Sequence, residues 1–189
     1  RPKLAESKVT CFGPPDPLGD PQKQVRMICS HLTNPSSDLD ESFAMKIMSD
    51  LLFDGPASPF YQALIDSGLG SEYASGTGYD NSTSHATLAV GLQGISEDSI
   101  QTVESTIYET FRKVRADTAR YLSRERIDSM LHQLQLSLRY TPANFGLNLV
   151  AGITQSWVHG ADPLASLSID KKVQTFLMRY ERGGVFEEL

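Results

Sequence analysis

Over residues 71–93 side-chain character alternates with a period of two, whereas in the segments 43–52 and 100–114 on either side apolar side chains recur three and four apart. A strand shows alternate residues to one face and a helix every third or fourth, so a chain that switches period folds into both. Tyr73, Ser75, Thr77 and Tyr79 share one face of this stretch, and the small residues Ala74, Gly76 and Gly78 share the other. Asp80-Asn81-Ser82 reads as a turn, after which Ala86, Leu88, Val90 and Leu92 alternate again. Two antiparallel strands are the simplest arrangement. Upstream, residues 7–12 and 25–32 are β-prone, the first ending at Gly13-Pro14-Pro15-Asp16-Pro17. In the second, Val25, Met27 and Cys29 fall on one face.

The helical segments carry their own start and stop signals. Asp38 and Asp40 open a helix whose apolar stripe is Phe43, Ala44, Ile47, Met48, Leu51 and Leu52, and Gly55-Pro56 ends it. Ser58 as cap and Pro59 at the first position start a short helix through Phe60, Leu64 and Ile65, which stops at Gly68-Leu69-Gly70. Ser96, followed by Glu97 and Asp98, caps a long helix buried along Ile100, Val103, Ile107, Phe111 and Val114. Ser123 caps another along Ile127, Met130, Leu131, Leu134 and Leu138. Pro142 opens a helix with Phe145, Leu149, Ile153 and Trp157 on one side; core packing is expected for that face ahead of anchoring a partner domain. Asp162-Pro163 begins the last region, with a stripe of Val173, Phe176, Leu177 and Tyr180 before Gly183-Gly184. Paired strands separated by helices in series predict an α+β fold: a two-layer, mainly antiparallel sheet with helices packed on one face, residues 1–189 forming a single domain.

With 189 residues and 40% of them hydrophobic, such a domain buries roughly 70% of the surface its unfolded chain exposes and needs no staple. The formal net charge of −6 argues against a nucleic-acid backbone or an anionic membrane as partner. No apolar run approaches the roughly 20 residues of a membrane span. Cys11 and Cys29 lie on two expected neighbouring strands, so a bridge is conceivable, but two thiols make no disulfide framework and reduced thiols are expected. Asn81-Ser82-Thr83 fits a glycosylation acceptor pattern short enough to recur by chance.

Chemistry-bearing clusters are sparse. His31, His85, His132 and His159 are far apart, and no two stand one helical turn from each other. A helical zinc site needs two such histidines with a glutamate to activate the bound water, so none is predicted. Ser84 and His85 are neighbours that point to opposite faces of a strand, and there is no Gly-x-Ser-x-Gly elbow. Gly76-Thr77-Gly78 lacks the third glycine of a dinucleotide loop. Arg112, Lys113, Arg115, Arg120, Arg124 and Arg126 gather where two helices meet, with Asp117, Glu125 and Asp128 among them; a solvated helix junction is expected ahead of an anion site.

Two stretches are more specific. Residues 51–70, containing Gly55-Pro56-Ala57-Ser58-Pro59-Phe60-Tyr61, and residues 84–98, containing Val90-Gly91-Leu92-Gln93-Gly94-Ile95-Ser96, resemble the pitrilysin family of zinc proteases. Within it they look like the second of four homologous domains in the presequence proteases of mitochondria and chloroplasts. Val9-Thr10-Cys11-Phe12, Phe145-Gly146-Leu147 and the passage from Trp157 to Pro163 fit as well.

The resemblance implies a non-catalytic supporting domain of a zinc metalloendopeptidase that degrades presequences and other unfolded peptides inside an enclosed chamber in the mitochondrial matrix. Its partners would be the other domains of that protease and the peptides themselves. Zinc would be bound upstream by His-x-x-Glu-His and catalysis assisted downstream by an arginine and a tyrosine. Neither motif occurs here, so no catalytic or metal residue is carried over and no substrate-binding residue is assigned. The ends, Arg1 and Glu187-Glu188-Leu189, suggest a piece of a longer protein whose last strand is missing, leaving a sheet edge open to association. The alternatives are a respiratory-complex core-type subunit with the same fold, which the Gly55–Pro59 passage disfavours, and a helical protein-interaction module built on Trp157 and the basic cluster.

Overall fold

The computed structural model describes residues 7–138, 141–183 and 185–186. Strand β1 (Val25–Pro35), helix α1 (Leu39–Phe53), a π-helical turn (Tyr61–Ile65), and strands β2 (Glu72–Tyr73), β3 (Gly78–Asp80) and β4 (His85–Ile95) follow in order. All pairing is antiparallel and centres on β4: β1 lies along one edge, and β2 and β3 share the other. The register sets Met27 against Leu92, Cys29 against Val90 and His31 against Leu88, so one face of the sheet gathers these residues. The opposite face carries Ile28, Ser30 and Leu32 of β1 beside Gly91, Ala89 and Thr87 of β4.

A short 3₁₀ turn (Glu97–Ser99) leads into helices α2 (Ile100–Ala116), α3 (Thr118–Tyr121), α4 (Arg124–Leu138), α5 (Phe145–Trp157), α6 (Pro163–Ser166) and α7 (Ile169–Arg182). Asp38 caps α1 by accepting from the Glu41 amide (3.0 Å). On α1, Ala44, Ile47, Met48, Leu51 and Leu52 are all buried, as the stripe predicts, and the helix packs on β3, α4 and α7. The core joins these residues to Leu88, Val90 and Leu92 of the sheet, Val103 and Ile107 of α2, Ile127 of α4, and Val173 and Phe176 of α7. Phe60 sits at its centre, 5.0 Å from the Phe53 ring and 4.8 Å from Phe111. The predicted α+β class, with an antiparallel sheet and helices on one face, is what the chain adopts.

Several local expectations fail for identifiable reasons. Residues 7–12 form no strand: Phe12 is 98% exposed, Cys11 lies in exposed irregular chain, Cys29 is half-buried on β1, and both thiols are free. The strand expected over 71–79 is split into β2 and β3 by a turn at residues 74–77, where Gly76 takes a φ of 93°. Thr77 holds that break in place, its hydroxyl donating to the Ala74 carbonyl (2.8 Å) and accepting from the Gly91 amide (3.1 Å) that the lost strand residue would have met. Ser58 turns its hydroxyl back to the Gly55 carbonyl (2.8 Å) instead of capping forward, and Ser96 pairs with the Ser99 hydroxyl (2.7 Å). The Leu138 side chain and the chain ends at Arg1, Gly184 and residues 187–189, on which expectations were placed, lie outside the described residues.

Candidate functional site

The residues singled out from the sequence are dispersed. His31 faces α2 from the inner side of β1, with its ring edge-on to Tyr108 (6.5 Å) and Phe111 (6.4 Å). His85 begins β4 opposite Pro35, and His132 is exposed on α4. His159 follows α5, with Nε2 3.3 Å from the Ser82 carbonyl. Among the described residues no three His, Cys, Asp or Glu side chains come close enough to hold a metal ion. The donor set among these described residues therefore does not fit a zinc site. Among the same residues, no helix is long and apolar enough to cross a membrane.

The basic cluster resolves into separate contacts. Lys113 pairs with Glu109 (2.9 Å) and Arg124 with Asp128 (2.8 Å), each one helical turn apart. The Arg120 and Arg124 guanidinium groups stand over Tyr121 (5.4 Å) and Tyr180 (5.7 Å). Arg126 differs. It donates to the Tyr121 carbonyl (2.8 Å) and, from α4, to the Leu51 carbonyl (2.9 Å) in the last turn of α1. That turn has no basic residue of its own, so Arg126 supplies from another helix the cation that a helix C-terminus favours. Partial burial lowers its pKa, and the guanidinium acts as a staple between helices.

Sequence reasoning missed a polar knot under the sheet. The Tyr79 hydroxyl lies 3.0 Å from both Asn34 Oδ1 and Ser42 Oγ, Asn34 Nδ2 donates to Ser42 (2.9 Å), and Ser49 accepts the Tyr79 amide (3.0 Å). Two serines on the buried stripe of α1 were the available signal. Nearby, a groove of about 450 Å³ lies between α1 and α5, lined in part by Lys46, Tyr79, Asn148, Ile153 and Lys172. Lys172 donates to the Ser166 carbonyl (3.1 Å), and burial lowers its pKa against the opposing pull of Asp40. Lys46 is engaged with Asp50 (2.6 Å).

Helix α5 overturns the core-packing expectation for Trp157. Trp157 is 59% exposed, Leu147 72% and Val150 62%, and Phe145 is exposed too. Apolar residues encircle this helix, so no single contact face can bury them all. It is seated by half-buried Ile153 and buried Ser156, whose hydroxyl meets that of Ser166 (3.2 Å).

Comparison with known proteins gives this architecture a context. The chain is 38% identical over 184 residues to a protein of Schizosaccharomyces pombe named "Presequence protease, mitochondrial"; the match covers 97% of this chain and 18% of that one. A protein of Aspergillus oryzae with the same name is 39% identical over 184 residues, again 97% of this chain and 18% of the relative. The chain thus spans under a fifth of the curated relatives it matches. A crystal structure described as an M16-like peptidase from Alicyclobacillus acidocaldarius superposes with a TM-score of 0.52 at 21% identity, covering 84% of this chain and 38% of that one, which supports the fold. The family described as "Peptidase M16 inactive domain" matches residues 13–134, more than half of the sequence. On that match the chain belongs to the M16, or pitrilysin, peptidase family, in its inactive-domain branch.

Proposed function

We propose that residues 1–189 are a single supporting domain of a larger zinc metalloendopeptidase that degrades presequences and other unfolded peptides in mitochondria. The observation that carries this reading is the match along 97% of the chain to proteins named as mitochondrial presequence proteases, together with a family description that calls the domain inactive. The zinc and the catalytic groups then belong to other parts of the parent, and this domain contributes wall and support. Its sheet suits that role. The helices pack on one face, while Ile28 (45% exposed) and Leu32 (41%) remain accessible on the other. A rigid, helix-backed sheet is a surface that holds its shape while a peptide is enclosed beside it. The relatives' names favour this reading over a respiratory-core subunit, and the sheet-centred core disfavours a free-standing helical module.

The test is hydrolysis of an unstructured peptide by the chain with zinc added, with and without chelator, and then with the remainder of the parent protease supplied separately. The chain alone is expected to cleave nothing, and the reconstituted pair to cleave in a chelator-sensitive way. Chelator-sensitive cleavage by the chain alone, or full activity of the parent without these residues, overturns the proposal.

A further inference from the structure

We infer that the exposed side of α5, centred on Leu147, Val150 and Trp157, is the surface on which another domain of the parent polypeptide docks; the inference rests on the function proposed above. Three observations converge on α5. First, large apolar side chains stand in water along its whole length, continuing through Val158 (66% exposed) and Leu164 (72%). A contiguous run of this kind marks an interaction surface, whereas single exposed apolar residues do not. Second, residues 141–161 contain no Asp, Glu, Lys or Arg, and depletion of charge is the mark of an interface centre. Third, α5 lies beyond the matched family span of 13–134, yet inside the 184-residue match to the full-length presequence proteases, of which this stretch is only 18%. The relatives therefore carry both an α5 counterpart and a large remaining polypeptide able to cover it.

The chemistry of the surface selects among occupants. A helix satisfies its own backbone amides and carbonyls, so it offers an arriving chain side-chain contact alone. An extended peptide would bring unpaired backbone groups that find no partner there; a folded apolar surface would not. An anionic bilayer would be held by lysines or arginines flanking the apolar residues, and α5 has none between residues 141 and 161. A second copy of the chain would bring a further charge of −6 against the first. A domain on the same polypeptide needs little intrinsic affinity, because the covalent link keeps it at high local concentration.

Trp157 is the one tryptophan in the sequence and reports directly on the surface. The chain and the remainder of the parent, produced as separate polypeptides, are mixed while tryptophan emission is followed against a tryptophan-substituted remainder. Docking is expected to move Trp157 emission to the blue and shield it from acrylamide. A Leu147→Asp/Val150→Asp variant is expected to weaken association about thirty-fold or more, as loss of an interface centre does. Leu147→Ala serves as a milder second variant, and circular dichroism checks that each stays folded. Association with unchanged Trp157 emission and unaltered variant affinity overturns the inference and leaves the proposed function standing. Failure of the wild-type chain to associate sinks both. A blue shift produced by raising the concentration of the chain alone, or by adding anionic vesicles, assigns the surface to a second copy or a membrane and likewise overturns the inference.

Discussion

Two helices of similar length, α1 and α5, meet opposite fates, and their surroundings explain the difference. Both are rich in apolar residues. The apolar stripe of α1 is covered at every position but the half-buried Phe43, with Leu51 fully buried and Leu52 at 2% exposure, because β3, α4 and α7 enclose it. Its exposed side carries Lys46 paired to Asp50. Among the described residues α6 is the main element packed on α5, a groove lies between α5 and α1, and Ser156 is the single buried residue of the helix. A helix half surrounded by structure needs half a surface of polar residues; α5 has instead a second apolar surface. The molecule thus divides into a finished core over β1–β4, α1, α2, α4 and α7, and a segment whose outward chemistry is unmatched by anything packed on it among the described residues.

The largest effect that tests this division is in the core. Leu51→Ala or Phe60→Ala removes a fully buried side chain and is expected to cost about 3–5 kcal/mol in urea-induced unfolding. A cost under about 1 kcal/mol at both positions would mean the core is looser than the division requires. Next comes Gly91. A Cβ there would collide with the Met27 carbonyl and the Ile28 backbone across the β1–β4 ladder, so Gly91→Ala is expected to destabilise by about 2–3 kcal/mol as the strands are forced apart. The same measurement at Gly146 on α5, where a Cβ meets nothing within 4 Å, should show no loss and a small gain in helix propensity.

The sequence revealed the division only in part. Period located the core elements well: the stripe of α1, the faces of β1 and the helices over 100–116 and 124–138 follow from side-chain spacing, a local property. Breaks created by long-range contacts were not legible. The interruption at residues 74–77 depends on Thr77 meeting Gly91, fourteen residues away, and nothing local announces it. The residues 7–12 have strand propensity, yet a strand exists only with a partner beside it, and among the described residues β4 alone pairs with β1. Trp157 failed for a related reason: periodicity says which residues share a face, not whether anything covers it. As for the site, separation of the histidines in sequence does not say whether a fold gathers them, and the Arg126 staple required knowing that α4 crosses the end of α1.

Arg126 gives the next smaller effect. Arg126→Ala takes charged donors from the Leu51 and Tyr121 carbonyls, and a loss of about 2 kcal/mol is expected. Arg126→Lys should recover only part of it, because an ammonium lacks the fork that reaches both carbonyls. Full recovery by lysine would show that charge alone matters. Tyr73 tests the core side by pH. Its buried hydroxyl makes no hydrogen bond of good geometry; burial pushes its pKa up to about 12, against a weaker downward pull from the neighbouring Ser58 hydroxyl, which is already engaged with Gly55. A raised folded pKa means that the phenolate is disfavoured in the folded state. The contribution is fully present below the unfolded value of about 10 and is lost as pH climbs from there to about 12. Tyr73→Phe should flatten that alkaline decline while leaving stability near pH 7 within about 1 kcal/mol, since the removed hydroxyl makes no hydrogen bond of good geometry. An unchanged alkaline profile would place the titrating group elsewhere.

The smallest expected effect bears most directly on α5. Leu147→Ser and Val150→Ser replace side chains that already stand in water, so little transfer free energy is forfeited and stability should change by no more than about 0.5 kcal/mol. In an ordinary buried helix the same pair would cost several times more. What should change is the affinity for the remainder of the parent polypeptide, while the oligomeric state of the chain alone in light scattering is expected to stay as it is. If instead the double substitution unfolds the chain, α5 is held by contacts that its exposure conceals, and the contrast with α1 collapses. If stability holds and self-association is unaltered, the apolar side of α5 stays solvated in the isolated chain, and its requirement for a partner has to come from the parent polypeptide rather than from general stickiness.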